Sequence, residues 1–337
     1  MDWEAYEKHK PFAGKNKPSM LRRRIGHDYE SRCIYLVTLT VEGRRPLLGR
    51  LVGDANAEKG SAEAPKIVLS PLGEKVKEMW LSISLYHPEI KVLATMVMPD
   101  HLHGILFVER AMGVSLGMVI KGFKAGCNKA YRKEIGGSDG AVLQHCCSRG
   151  DIKGFLFSRN YNDHILESDG ELHRWFRYLE DNPRRLAVKR QHPELFTVVS
   201  GIHIGEWDCQ MVGNRSLLAY PERAAVIVHG AYSDQEYEEL KQRWLALSEH
   251  GGVLVSAAIA AREKEVMREA MNRGYKLIVL RENGFPPLYK PAGEAFDACS
   301  KGNLLQVSPW EHHNKRQTIS REQCLQLNRL AEYIANL

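Results

Sequence analysis

Lys91-Val-Leu-Ala-Thr-Met-Val-Met98, then Pro99-Asp100, then His101-Leu-His-Gly-Ile-Leu-Phe-Val108: two apolar runs divided by a turn dipeptide decide how this chain is read. Stretches rich in β-branched and aromatic residues on either side of Pro-Asp predict strands at about 91–98 and 102–108. Side chains two apart on a strand share a face, so His101 and His103 point the same way and can share one divalent ion. Neither is then expected to pack into a core. Histidines at this spacing also serve as hydrogen-bonded core or rim residues, and the pair alone leaves both readings open.

Outward from this pair, Cys33-Ile-Tyr-Leu-Val-Thr-Leu-Thr40 reads as another strand, and Leu51 to Pro65 as a polar excursion. Ile67 to Leu69 is a short extended piece. Ser70-Pro71 opens a helix through Leu85, with serine as N-cap and proline in the first turn. A long helix follows at about 114–134, then a loop over Gly136 to Gly150. A last helix at about 170–182 is ended by Pro183. Strand–helix–strand–strand–helix is the order of a ferredoxin-like antiparallel sheet with helices on one face. The polar first 30 residues form an arm.

After Pro193 the pattern changes. Cys209 to Asn214, Ala224 to His229, Gly252 to Ser256 and Tyr275 to Leu280 are short apolar runs without alternation. Helical stretches at Asp234 to Ser248 and Ala261 to Asn272 separate the later ones. Such alternation predicts an α/β domain with a doubly wound parallel sheet. The chain divides into an arm (1–30), an α+β domain (31–195) and an α/β domain (200–337).

Composition narrows the class. With 44% hydrophobic and 26% charged residues in 337, the chain is an ordinary globular protein with room for two cores. Its first residues show no signal peptide, and the most apolar window, Val253 to Ala261, is about half of what a membrane helix needs. The seven cysteines form no Cys-x-x-Cys pair, which fits a reducing cytoplasm. Vicinal Cys146-Cys147 beside His145 read as free thiols before they read as a metal or redox site. Residues 1–200 hold 31 Lys and Arg against 24 Asp and Glu, so the whole positive excess lies in the histidine half. A phosphate backbone requires that sign of charge, although solvated faces explain any single cluster. These clusters include Arg22-Arg23-Arg24, Lys121 with Lys124, and Arg184-Arg185.

His101-Leu102-His103 behind Met98-Pro99-Asp100 resembles the His-hydrophobic-His motif of single-tyrosine HUH transposases, specifically the REP-associated tyrosine transposases. Family members commonly carry Met-Pro-Asn there. Tyr178, four residues before Asn182-Pro183 in Trp175-Phe-Arg-Tyr-Leu-Glu-Asp-Asn-Pro183, matches the family's helical tyrosine. Ser158 to Leu166 resembles the segment leading into that helix. The resemblance covers about residues 20–190. It implies nicking and rejoining of single-stranded DNA at hairpin ends, through a 5′-phosphotyrosine on Tyr178. It also implies Mg²⁺ or Mn²⁺ on His101, His103 and a polar residue one turn past the tyrosine.

Asn182 is that residue, since i and i+4 share a helix face and an amide oxygen suits a hard cation. Glu180 and Asp181 remain rival ligands, and Tyr161 and Tyr131 rival nucleophiles; Tyr178 also suits core packing, and Asn182 a helix end. Lys121, Lys124, Arg177, Arg184 and Arg185 are the DNA-contact candidates. Implied partners are single-stranded DNA or a DNA hairpin and a second copy in a homodimer, with no membrane. A DNA-hairpin-binding protein that keeps the surface without turnover is the alternative; a hydrolase using water lacks an evident general base.

The second domain weakly resembles the Rossmann-like domain of DNA-processing proteins and lysine-decarboxylase-like nucleotide binders. Val212-Gly-Asn-Arg-Ser216, Val253 to Arg262 and Gly284-Phe-Pro-Pro-Leu-Tyr289 carry it. Ser256, at a strand end before a helix, is expected to hold an anion together with Gly213, unless Arg262 or Glu263 folds back over the helix start. There is no Gly-x-Gly-x-x-Gly, so ordinary dinucleotide binding is not indicated. Trp310-Glu-His-His313 has the composition of a metal or phosphate contact and equally of a polar surface.

Overall fold

The computed structural model describes residues 24–136, 155–286, 289–314 and 318–337, without positions 25, 169, 229 and 231. Arg22, Arg23, His145 and Cys146-Cys147 lie outside the described residues, as do most of the arm and of the Gly136 to Gly150 loop. The chain forms two compact units, Met1–Ala187 and Val188–Leu337. Both mix helices and strands. Among the described residues, no helix is long and apolar enough to cross a membrane.

The first unit has strands β1 (Cys33–Thr40), β2 (Gly49–Val52), β3 (Lys66–Leu69), β4 (Ile90–Met98), β5 (His101–Val108) and β6 (Asn162–Leu166). Its helices are α1 (Pro71–Leu81), α2 (Ile83–Tyr86), α3 (Leu116–Gly136) and α4 (Glu171–Gln191). The main sheet runs β4-β5-β1-β6 with every pairing antiparallel. Strands β2 and β3 make a separate ribbon that closes off the stretch read as a polar excursion, and β3 is the piece read as extended. Ser70 caps α1 as its sequence predicts: its Oγ accepts from Gly73 N at 3.0 Å and donates to Leu47 O at 2.7 Å.

Alternation along the strands gives the sheet two buried faces. Tyr35, Val37, Leu39, Leu102 and Leu106 meet Val76 and Trp80 of α1 and Ile120 and Phe123 of α3. The opposite face, with Leu36 and Ile105, packs against Leu172, Trp175, Phe176 and Leu179 of α4. Helices therefore cover both faces, not one. Helix α4 also does not stop at Pro183, which is buried inside it. Ala187 and Val188, both buried, continue its apolar side and outweigh the proline's missing donor.

The second unit holds β7 (Val199–Ile204), β8 (Trp207–Gly213), β9 (Arg223–Ala225), β10 (Val253–Ser256), β11 (Lys276–Leu280) and β12 (Leu304–Ser308). Its helices are α5 (Asp234–Glu249), α6 (Ala261–Asn272), α7 (Glu294–Ser300) and α8 (Arg321–Ala335). The sheet order is β7-β8-β12-β11-β10-β9. Strands β9 to β12 are parallel, but β8 pairs antiparallel with β12 and with β7. The all-parallel expectation is corrected to a mixed sheet: β7 and β8 form a hairpin joined by a short turn, which only antiparallel strands permit. Cys127, Cys209 and Cys299 are buried free thiols, pushed by that burial to about 12, 11 and 12.

Candidate functional site

Strand β5 sets its odd-numbered side chains toward α4. Register against β1 puts Thr38 opposite His103 and Thr40 opposite His101. The two imidazoles lie edge to face, with centroids 4.7 Å apart and planes at 82°. Each is held at Nδ1 by an oxygen. Asp100 Oδ1 is 2.6 Å from that of His101, and Thr38 Oγ1 is 2.8 Å from that of His103. Burial pushes the Asp100 carboxyl up, but its hydrogen bonds to His101 and Arg44 and the Arg44 charge prevail and hold it at about 2. The expectation that neither histidine is packed fails for His103, which is only 8% exposed beneath the tyrosine helix.

Tyr178 reaches this pair from α4. Its ring centroid lies 5.9 Å from that of His103, at 70°, and 5.3 Å from that of Trp175. The Arg185 guanidinium carbon stands 5.5 Å from the Tyr178 centroid. Asn182 is one turn further and buried, and its Nδ2 has no hydrogen-bond partner. An unpaired buried amide costs about 1–3 kcal/mol, so such groups in native proteins ask for a reason.

The rivals stand elsewhere. Glu180 is exposed near Lys59, and Asp181 takes both Nε and Nη2 of Arg184, at 2.6 and 2.9 Å. Tyr161 packs with the core on the other sheet face, and buried Tyr131 bonds Arg45 at 2.9 Å. Among the described residues, no three His, Cys, Asp or Glu side chains group to hold a metal.

The five basic candidates divide. Lys121 and Arg177 are exposed. Lys124 Nζ donates to the carbonyls of Ser158, Arg159 and Asn160 at 2.5, 3.0 and 3.1 Å, so its ammonium ties the 158–160 segment to α3. Arg184 is bound to Asp181, and Arg185 is 9% exposed. Lys121 borders a cleft of about 630 Å³ with Asn128, Phe155 and Tyr161, on the α3 side of the sheet.

In the second unit, the expected anion seat at Ser256 and Gly213 is corrected. The buried Ser256 hydroxyl donates to Val226 O at 2.7 Å and accepts from Ala258 N at 3.0 Å. The Glu263 carboxylate turns back over the start of α6, accepting from Ile259 N, Ala260 N and Val228 N at 2.8, 3.0 and 3.0 Å. The N–H groups of Val228, Ile259 and Ala260 beside the helix start therefore already hold a carboxylate. Gly213 is glycine because a Cβ there would stand 2.2 Å from Leu304 O, at φ +118°. His312 and His313 belong to a loop clamped by both ends of the Asn283 amide.

Asp100 and Thr38 were not singled out as histidine partners by the sequence. Asp100 was readable as a carboxylate next to the first histidine. Thr38 was not, because its nearness to His103 is a matter of strand register.

No protein-family model matches the chain. It is similar to an uncharacterized protein of Haemophilus influenzae, 22% identical over 177 residues, spanning 47% of this chain and 83% of the relative. Among solved structures it is similar to a REP-associated tyrosine transposase bound to a REP hairpin, with a TM-score of 0.29 and 11% identity over 48% of this chain and 72% of that one. It is also similar to DNA processing protein A from Helicobacter pylori, with a TM-score of 0.31 and 18% identity over 42% of this chain and 67% of that one. All three likenesses are distant.

Proposed function

We propose that the first unit nicks and rejoins single-stranded DNA at hairpin ends, with Tyr178 as nucleophile. The observation that carries this reading is the Tyr178 ring packed 5.9 Å from His103, on the sheet face that also carries His101. We read this unit as ferredoxin-like, from its β4-β5-β1-β6 order, and the second as Rossmann-like. The donor set fits a hard divalent cation: with Nδ1 of each ring held by an oxygen, His101 and His103 would offer Nε2, and Asn182 its amide oxygen as third ligand. Mg²⁺ or Mn²⁺ bound there would polarise the scissile phosphate.

Tyr178 Oη attacks phosphorus in line, the P–O3′ bond breaks, and the departing 3′ oxygen takes a proton. The phenol proton passes to solvent, and the 5′ end remains on Tyr178. Rejoining reverses the step: another 3′-hydroxyl attacks and the P–O(Tyr) bond breaks, so no ATP is needed. Arg185, over the Tyr178 ring, holds the nucleophile's orientation. Exposed Lys121 and Arg177 meet the backbone phosphates, and bases stack on exposed aromatic rings. The reaction belongs in the cytoplasm, where DNA and reduced thiols coexist.

The test is a Mn²⁺-dependent covalent adduct between the protein and a single-stranded oligonucleotide carrying a hairpin. The adduct is expected with wild type and Tyr161→Phe and absent with Tyr178→Phe. An adduct that survives Tyr178→Phe sinks the assignment; hairpin binding without any adduct favours the non-catalytic alternative.

A further inference from the structure

The geometry points to Asp100 as a positioning residue that fixes the tautomer of His101, presenting its Nε2 lone pair to a cation. The inference rests on the metal reading above for its purpose, though its geometry stands alone. Asp100 Oδ1 lies 2.6 Å from His101 Nδ1, and a carboxylate can only accept. Nδ1 must therefore carry the proton, and Nε2 is left with the lone pair in the neutral ring. Asp100 is itself fixed. Its second oxygen takes Arg44 Nη1 at 3.1 Å, and its backbone carbonyl accepts from Val41 N at 2.9 Å.

His103 is held differently. Its partner Thr38 carries a hydroxyl that can donate or accept, so Thr38 permits either tautomer where Asp100 permits one. The two histidines are thus unequal: His101 is set before any ligand arrives. An asparagine at position 100 could present an oxygen to Nδ1, but without the charge, and its amide could turn to offer N–H instead.

Two measurements on the full chain decide this. Long-range ¹H–¹⁵N spectra of histidine-labelled, metal-free protein are expected to show the Nδ1–H form for His101 in wild type and a mixture, or the Nε2–H form, in Asp100→Ala. Calorimetric titration with Mn²⁺ alone is expected to show affinity falling by about 10- to 100-fold in Asp100→Ala and by less in Asp100→Asn. His101→Ala marks complete loss of the site. An Nε2–H His101 in wild type, or a tautomer unchanged in both Asp100 variants, overturns the inference. Equal Mn²⁺ affinity in wild type and Asp100→Ala overturns it while leaving the metal reading intact. A wild type that binds no Mn²⁺ overturns the metal reading, and the spectra then judge Asp100 on their own. Should Asp100→Ala fail to fold, Asp100→Asn carries both comparisons.

Discussion

Gly104, between His103 and Ile105, shows how closely the site's strand is fitted. A Cβ there would stand 2.2 Å from Trp80 Cζ2, and Trp80 is fully buried against Phe123. We expect Gly104→Ala to lower stability by about 1–3 kcal/mol, the usual cost of overpacking, read as a fall in urea midpoint at constant slope. Pairing it with Trp80→Leu should recover part of the loss, and an unchanged midpoint in the single variant would show the contact to be slack. At this scale the candidate side chains were legible and the residues that hold them were not. His101, His103 and Tyr178 announce themselves by residue type and spacing. Gly104 and Thr38 owe their meaning to partners distant in sequence, Trp80 and His103, which no local pattern reveals.

Among the elements, α4 departs most from its sequence signals. Pro183 reads as a terminator, yet the helix continues to Gln191 because its apolar side continues. Proline still removes one i→i−4 bond, so Pro183→Ala is expected to raise the melting temperature; a fall would show that the buried ring's packing outweighs the regained bond. The start of α4 is tied to β6 through His164 Nε2 and Glu171 Oε1, 2.5 Å apart. That hydrogen bond, opposed by burial and aided by the backbone N–H groups of Ser168 and Glu167, holds the Glu171 carboxyl at about 2, below its ordinary 4.5. A carboxyl lowered by folding stabilises the native state above its unfolded value, and that contribution disappears as pH falls from about 4.5 to about 2. Glu171→Gln should therefore be less stable at neutral pH and lose less than wild type across that window; parallel acid profiles would refute the link. Strand β12 and helix α8 went unread. Leu304 to Ser308 is short and carries Gln306 among apolar residues, and only its place between β8 and β11 makes it a central strand.

At the scale of the molecule, the sequence pattern changes after Pro193, and the chain divides into compact units at 187–188. The parallel run β9 to β12 was legible in part, from unbroken apolar stretches. The antiparallel β7–β8 hairpin was not, since β7 is a largely exposed edge strand whose Ser200, Gly201 and His203 break up the apolar signal. Each unit has its own core, one around Trp80 and Phe123 and the other around Val255, Leu305 and Leu330. Unfolding in urea is expected to show two transitions, of which Gly104→Ala moves one. Coincident transitions by every probe, shifted together by the variant, would mean that the two cores unfold as one.

The Glu263 carboxylate beside the start of α6 bears on concentration dependence. A helix start that binds free phosphate is stabilised more as the dissolved phosphate rises. Here the bound anion is covalently part of the chain, at a fixed local concentration in every copy. What this contact contributes to the helix is therefore independent of dissolved anions.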